Sequence, residues 1–202
     1  HRADVRVLVN TGVYRDAHTC EPAMACHIQR ALGINVEFQG RRTLAFDLLN
    51  GGTGMLNAVH VVNGLMGASE VQVGMVVSSD FNPDRRPDPS YDYAASGAAV
   101  LLDLSPRKEV GFGAFSFDTR EETAELYTAV VSRAEKRGRL VLRRRAELEE
   151  AYLAGATAAV REVLEKDGLT RKDVDLVVPA QVSARFLSRL PEAIGFAREK
   201  VA

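Results

Sequence analysis

The feature of this sequence that most constrains its fold is the stretch 44–60, where a strand pattern turns abruptly into a helix pattern. A β-prone run ends at Leu49, small residues follow at Gly51, Gly52 and Thr53, and a helical pattern begins at Met55. Clustered glycines mark a tight turn, and several enzyme folds mount a nucleophile where a strand turns sharply into a helix. The sequence therefore predicts a sharp turn at 51–53, and we call residues 50–54 the elbow.

The helix predicted after the elbow is apolar around almost its whole circumference. Its polar residues, Asn57, His60 and Asn63, recur every three positions along one narrow stripe. A helix that is hydrophobic all round is usually buried, so we expect protein to enclose this one. The polar interruptions leave no apolar run long enough to cross a bilayer, and no membrane span is predicted.

Composition narrows the class of protein. The chain has 202 residues, 46% hydrophobic and 26% charged, with a formal net charge of -1. These values indicate an ordinary globular protein with one large or two small domains and predict no general attraction to nucleic acid. With only two cysteines, Cys20 and Cys26, and no signal peptide, we expect a reducing cytoplasmic setting.

A metal site is not predicted. Four residues with metal-ligand side chains lie near one another in sequence: His18, Cys20, Cys26 and His27. No pair has the tight two-residue spacing of a zinc knuckle. We therefore expect a buried thiol and surface imidazoles.

Hydrophobic periodicity predicts the remaining elements. Strands are expected at 5–9, 71–77, 96–102, 110–115 and 173–179, and helices at 22–33, 126–134, 148–164 and 183–196. The strand before the elbow, the apolar helix and the strand at 71–77 should form a right-handed βαβ unit with parallel strands.

A basic cluster stands out in this nearly neutral chain. Its members are Arg133, Lys136, Arg137, Arg139, Arg143, Arg144 and Arg145. Either the cluster is a solvated face, or it contacts an anionic partner such as a nucleotide phosphate or an acidic carrier protein.

Several short motifs occur in an order and spacing typical of one family. They are Val7-Leu8-Val9-Asn10-Thr11, Glu21-Pro22 opening a helix that ends in Leu32-Gly33, Phe46-Asp47, Val76-Val77-Ser78-Ser79-Asp80, Ser96-Gly97-Ala98-Ala99 and Asp175-Leu176-Val177-Val178-Pro179-Ala180-Gln181-Val182-Ser183. Together they resemble the thiolase superfamily and, within it, the ketosynthase III type of condensing enzyme. Asn10-Thr11, Arg15-Asp16, Glu21-Pro22 and Gln181-Val182-Ser183 look most like the branch that joins two acyl-CoA molecules head to head in olefin biosynthesis.

The resemblance implies an α/β fold of the thiolase type, layered α/β/α/β/α and usually dimeric. The chain is expected to be an incomplete central portion of that fold. Residues 1–118 would form the N-terminal half without its first elements, and residues 119–202 the truncated start of the C-terminal half. Family members take an acyl group from a thioester with a cysteine at the elbow, assisted by a histidine and an asparagine.

The chain departs from the family at the positions that carry this chemistry. The cysteine position falls on Gly52 and the histidine position on Ala180, while the asparagine motif and the glycine-rich loop would lie beyond Ala202. No catalytic residue of the family is therefore intact. A one-residue shift would place the Thr53 hydroxyl at the elbow, but threonine needs a base. His60 lies roughly 10 Å further along the helix.

Three hypotheses follow from this departure. The leading one is a ketosynthase III-like, non-catalytic subunit or acyl-binding partner in fatty acid, polyketide or hydrocarbon biosynthesis. The second is an active acyltransferase, of the 3-oxoacyl synthase type, that works without the usual cysteine. The third is a structural dimerisation protein.

The resemblance also implies ligands and partners. We expect no bound cofactor or metal, and acyl-CoA or acyl-carrier-protein thioesters as ligands. The acyl-channel candidates are Glu21, Thr53 and Gln181, and the candidates for contact with CoA or a carrier protein are Arg139, Arg143, Arg144 and Arg145. The expected partner is a second thiolase-fold subunit, identical or cysteine-bearing. In the head-to-head branch a similar glutamate reaches the partner's acyl channel; alternatively, Glu21 is only a carboxylate favoured near a helix N-terminus.

Overall fold

A computed structural model of the chain describes all residues except 16–17, 37–39, 69–70, 83, 92 and 133–137. The chain divides into two compact units, His1–Val110 and Gly111–Ala202. In the described part of the chain, no helix is both long and apolar enough to cross a membrane.

The first unit is built on a four-stranded mixed sheet. Its strands are β1 (Val5–Asn10), β2 (Leu44–Asp47), β3 (Val73–Asp80) and β4 (Ser96–Asp103), in the spatial order β2-β1-β3-β4. Strand β1 pairs in parallel with β2 and with β3, and β4 is antiparallel to β3. A strand that has neighbours on both sides and both faces covered usually has a continuous run of apolar residues. In β1 this run is Val7, Leu8 and Val9, each 2% exposed or less. The predicted parallel arrangement is confirmed, with β1 lying between β2 and β3.

Two helices accompany this sheet, α1 (Met24–Leu32) and α2 (Gly54–Ala68). As predicted, α1 ends at Gly33, whose φ of 62° is the left-handed conformation of a glycine cap. Helix α2 packs against the sheet through its buried residues Ala58, Val59, Val62 and Met66.

The prediction that protein encloses α2 is wrong in one respect. Its far side is open within this chain, where Leu56 is 60% exposed and Asn63, Gly64 and Gly67 are exposed. An apolar circumference shows which side chains tolerate burial, but it does not supply the element that would cover them.

The second unit combines a β-hairpin with two helices. Strands β5 (Tyr127–Ser132) and β6 (Arg139–Arg144) are antiparallel, and α3 (Leu148–Asp167) and α4 (Ala184–Ile194) follow. The core of this unit consists of Leu153, Phe186, Leu190, Ile194, Phe196 and Val201. Gly168 ends α3, as predicted, in the left-handed conformation.

Three predicted elements of the second half of the chain are wrong. Of the helix expected at 126–134, residues 127–132 form strand β5, because Thr128, Val130 and Val131 are β-branched and pair with β6, and residues 133–134 lie outside the described residues. Residues 111–120 have no regular structure although a strand was expected at 110–115, and the strand expected at 173–179 is reduced to a single bridge between Val177 and Val201. A strand needs a partner, which the periodicity of one segment does not identify.

We expect Gly12→Ala to destabilise the first unit. A Cβ at Gly12 would lie 2.1 Å from the backbone oxygen of Ser79, so the ends of β1 and β3 would have to separate. Overpacking of this kind costs about 1–3 kcal/mol, measurable by chemical denaturation. Gly52→Ala is the matched control, because a Cβ there meets nothing within 4 Å. Equal effects of the two variants would contradict this steric account.

Candidate functional site

The elbow forms as predicted. Gly51–Thr53 make a 3₁₀ turn directly before α2. Gly51 has a φ of 50°, a conformation that glycine adopts without steric cost. Gly54 is buried, and a Cβ there would lie 3.2 Å from the side chain of Thr11. These two glycines therefore satisfy backbone and packing requirements of the turn.

Gly52 is different from its two neighbours. It is exposed, its φ lies outside the left-handed region, and a Cβ built on it would meet nothing within 4 Å. The backbone and its surroundings would thus accept a side chain at this position. The elbow offers no reactive group here because the residue is glycine.

The Thr53 hydroxyl is engaged within the turn itself. Its Oγ1 donates to the carbonyl oxygen of Asn50 at 2.9 Å, and its backbone N–H donates to the same oxygen at 3.1 Å. Among the residues that the structure describes, no carboxylate or imidazole hydrogen-bonds this hydroxyl. A threonine without a base is a poor nucleophile, so the geometry does not favour Thr53 as a substitute for a cysteine.

The Asp47 carboxylate, which lies three residues before the elbow, binds groups from several parts of the first unit. Its Oδ1 accepts from Asn10 Nδ2 at 3.2 Å and from the N–H of Ala25 at 2.9 Å. Its Oδ2 accepts from the N–H of Met24 at 2.8 Å and lies 2.8 Å from the guanidinium of Arg15. The side chains of Asp47 and Arg15 are only 11% and 8% exposed, so this ion pair is largely removed from water.

Sequence reasoning missed the role of Asp47, although one signal pointed to it. The residue before α1 is Ala23, which has no side chain that could cap the helix. The first N–H groups of a helix need acceptors from outside it, so some other part of the chain had to provide them. Asp47, on the neighbouring strand β2, does so.

Glu21 lies on the loop before α1, and its side chain is exposed. A buried thiol was expected here, but Cys20 and Cys26 are both exposed. The apolar positions of α1 that pack in the core of the first unit are Ala25 and Ile28 instead. His18 Nε2 lies 3.4 Å from Asp84 Oδ1.

A cluster of tyrosines lies in the first unit, where the backbone N–H of Tyr14 donates to Asp80 at the end of β3. The rings of Tyr14 and Tyr91 meet edge to face at 5.4 Å, and Tyr93 contacts both. Burial raises the pKa of Tyr91 to about 12, with a further contribution from the negative charge of Asp80. The Tyr91 hydroxyl is therefore protonated at neutral pH and is not a candidate base.

In the second unit, the position of the family histidine offers no proton acceptor. Ala180 is exposed and carries only a methyl group, and the side chain of Gln181 donates to the carbonyl of Pro179 at 3.3 Å. Ser183 is structural, since its Oγ accepts from the N–H of Phe186 at 3.0 Å and caps α4.

The basic residues are distributed over both faces of a hairpin. Arg139 and Arg143 project from one face of β6, and Arg144 projects from the other, where its guanidinium lies 5.9 Å from the ring centre of Tyr127. Arg145 follows the strand and is exposed. The rest of the predicted cluster, Arg133, Lys136 and Arg137, lies outside the described residues.

No family model matches the chain, but individual proteins similar to it are found by sequence and by structure. It is 26% identical over 195 residues to the beta-ketoacyl-[acyl-carrier-protein] synthase III of Actinobacillus succinogenes, a match that covers 90% of this chain and 56% of that protein.

Solved structures agree with this match. The 3-oxoacyl-[acyl-carrier-protein] synthase III of Aquifex aeolicus superposes with a TM-score of 0.81 at 21% identity, covering 99% of this chain and 61% of the other. OleA of Xanthomonas campestris, solved with lauric acid and lauroyl-CoA, superposes with a TM-score of 0.75 at 16% identity, covering 100% of this chain and 62% of the other.

The chain thus spans about half the length of its sequence relatives and about 60% of the structural neighbours. The structural superpositions confirm the α/β thiolase fold that the motifs predict, present in part. The sequence match is to proteins of the ketosynthase III type. In sequence and in fold, the chain therefore resembles the ketosynthase III type of the thiolase superfamily.

Proposed function

We propose that this chain binds acyl thioesters as a non-catalytic subunit of fatty acid, polyketide or hydrocarbon biosynthesis in the cytoplasm. One observation carries the proposal. The elbow is intact and has room for a side chain at position 52, yet the residue there is glycine. A fold that keeps the backbone of the site without its reactive group is suited to binding rather than to acyl transfer.

The chemistry supports the same conclusion. Taking an acyl group from a thioester requires a nucleophile, which is usually activated by a neighbouring base. Gly52 and Ala180 provide neither group, and the Thr53 hydroxyl donates to a carbonyl of its own turn. The chain is thus expected to hold an acyl thioester without forming a bond to it.

The ligand class is inferred from the relatives. Their names specify an acyl carrier protein, and OleA has been solved with lauroyl-CoA. Both thioesters carry phosphate, so Arg139, Arg143, Arg144 and Arg145 are the proposed contacts for the CoA or carrier-protein moiety. No cofactor is required for this role.

The proposed partner is a second thiolase-fold subunit in a dimer. In a homodimer it is another copy of this chain, and in a heterodimer it carries its own elbow cysteine. Glu21 is exposed on its loop, which supports a role for this carboxylate in the acyl channel of the neighbouring subunit.

Lauroyl-CoA tests this function directly. We expect the purified chain to bind lauroyl-CoA in isothermal titration calorimetry, while intact-protein mass spectrometry of a Cys20→Ser, Cys26→Ser variant, which lacks the two exposed thiols, shows no acyl adduct. Arg143→Gln should weaken binding, whereas Arg107→Gln, a charge change outside the proposed contacts, should not. An adduct that disappears in Thr53→Ala would overturn the non-catalytic assignment. Acyl transfer without an adduct, lost in Glu21→Gln, would identify an active enzyme without the cysteine. Absence of all acyl-CoA binding would favour a structural role.

A further inference from the structure

The loop that carries Glu21 is held at both ends by one carboxylate. Among the described residues it comprises 15 and 18–23, which lie between the end of β1 and the start of α1. At its first end, the guanidinium of Arg15 pairs with Asp47 Oδ2 at 2.8 Å. At its second end, the N–H groups of Met24 and Ala25 donate to the same carboxylate at 2.8 and 2.9 Å.

Arg15 also reaches into the middle of the loop. While one guanidinium nitrogen pairs with Asp47, another donates to the carbonyl oxygen of Thr19 at 3.4 Å. Thr19 precedes Glu21 by two residues. A buried ion pair thus connects Asp47, on the strand before the elbow, to the backbone two residues before Glu21.

The N-terminus of α1 is not capped by the residue that precedes it. A helix N-terminus can be capped by a serine, threonine, aspartate or asparagine at the position before it, but here that residue is Ala23. The cap comes instead from Asp47, which also binds the start of the loop. Because the Asp47 carboxylate binds both ends of the loop, it fixes the position of the loop relative to β2, the strand that leads to the elbow.

We propose that Asp47 and Arg15 are positioning residues for Glu21, which they hold at a defined place relative to the elbow strand. This inference rests on the proposed function only for the use that a partner makes of Glu21. The order of the loop is measurable without any partner or ligand.

Cys20, next to Glu21, is a native reporter of loop order. In a Cys26→Ser background, a nitroxide attached to Cys20 should show an immobilised component in its electron paramagnetic resonance spectrum. Arg15→Met should remove that component, because it removes both the ion pair and the contact with Thr19. Arg15→Lys, which retains the charge, should restore part of it. Asp47→Asn provides a second variant.

Two controls separate positioning from general destabilisation. A nitroxide on Cys26 in a Cys20→Ser background reports the body of α1 and should not change with Arg15→Met. Gly74→Ala, whose Cβ would lie 2.3 Å from Val62 Cγ1, destabilises the same unit away from the loop and should leave the Cys20 spectrum unchanged.

The possible outcomes are distinct. A Cys20 spectrum that is the same in folded Arg15→Met and Asp47→Asn as in the parent would overturn the inference. So would a change at Cys20 that Gly74→Ala reproduces, or one that appears equally at Cys26. An acyl adduct at Thr53 would refute the proposed function but would leave these spectra unaffected.

Discussion

Replacing Gly52 with cysteine is expected to convert a chain that gains no mass from lauroyl-CoA into one that carries an acyl group. The position has open space for the new side chain and no left-handed φ to oppose it. It lies just before Gly54, the first residue of α2, where the helix N-terminus favours negative charge. The thiol pKa should therefore fall below its ordinary value of about 8.5, and the thiolate would attack the thioester carbonyl as the CoA thiolate leaves.

The experiment needs a background without the native thiols, because Cys20 and Cys26 are both exposed. In a Cys20→Ser, Cys26→Ser chain, Gly67→Cys is the matched control. Gly67 lies in the last turn of the same helix and is exposed, and a Cβ at this position would meet nothing within 4 Å. There the helix dipole disfavours a thiolate.

Two measurements decide the outcome. The rate of iodoacetamide alkylation against pH gives each thiol pKa, and intact-protein mass spectrometry gives the acyl adduct. A lower pKa and faster acylation are expected for Gly52→Cys than for Gly67→Cys. Equal pKa values and equal acylation at the two positions would show that the elbow no longer provides the environment of a nucleophile.

The elbow could be predicted from sequence because its determinants are local. Gly51 adopts a left-handed φ and Gly54 packs against Thr11, so each glycine fulfils a requirement of the turn itself. The glycine caps at Gly33 and Gly168 were predictable for the same reason. In each case the conformation of a few consecutive residues determines the residue type.

The contacts of Asp47 could not be predicted in this way. Its partners come from the end of β1, the following loop and the start of α1, and only the parallel pairing of β1 with β2 brings them together. Periodicity describes one segment at a time. The same limit explains why β5 was predicted as a helix, since its strand character depends on pairing with β6.

Asp47→Ala should cause a larger loss of stability than any other single substitution proposed above. It leaves the guanidinium of Arg15, 8% exposed, without its carboxylate, and it removes the acceptor for Met24, Ala25 and Asn10. Removing one partner of a buried ion pair costs about 3–5 kcal/mol. The midpoint and the extrapolated free energy of unfolding in urea measure this loss.

A double variant separates the ion pair from the helix cap. Arg15→Met combined with Asp47→Ala removes both charges, so its loss should be smaller than the sum of the two single losses. Asp4→Ala is the control, because the Asp4 carboxylate pairs with Arg41 on the surface of the same unit and is 44% exposed; we expect no measurable change. Loss of the Asp47 carboxylate leaves the Arg15 charge buried without a counterion, which must lower stability if Asp47 anchors the loop and α1. If Asp47→Ala were no more destabilising than Asp4→Ala, Asp47 would therefore not be that anchor.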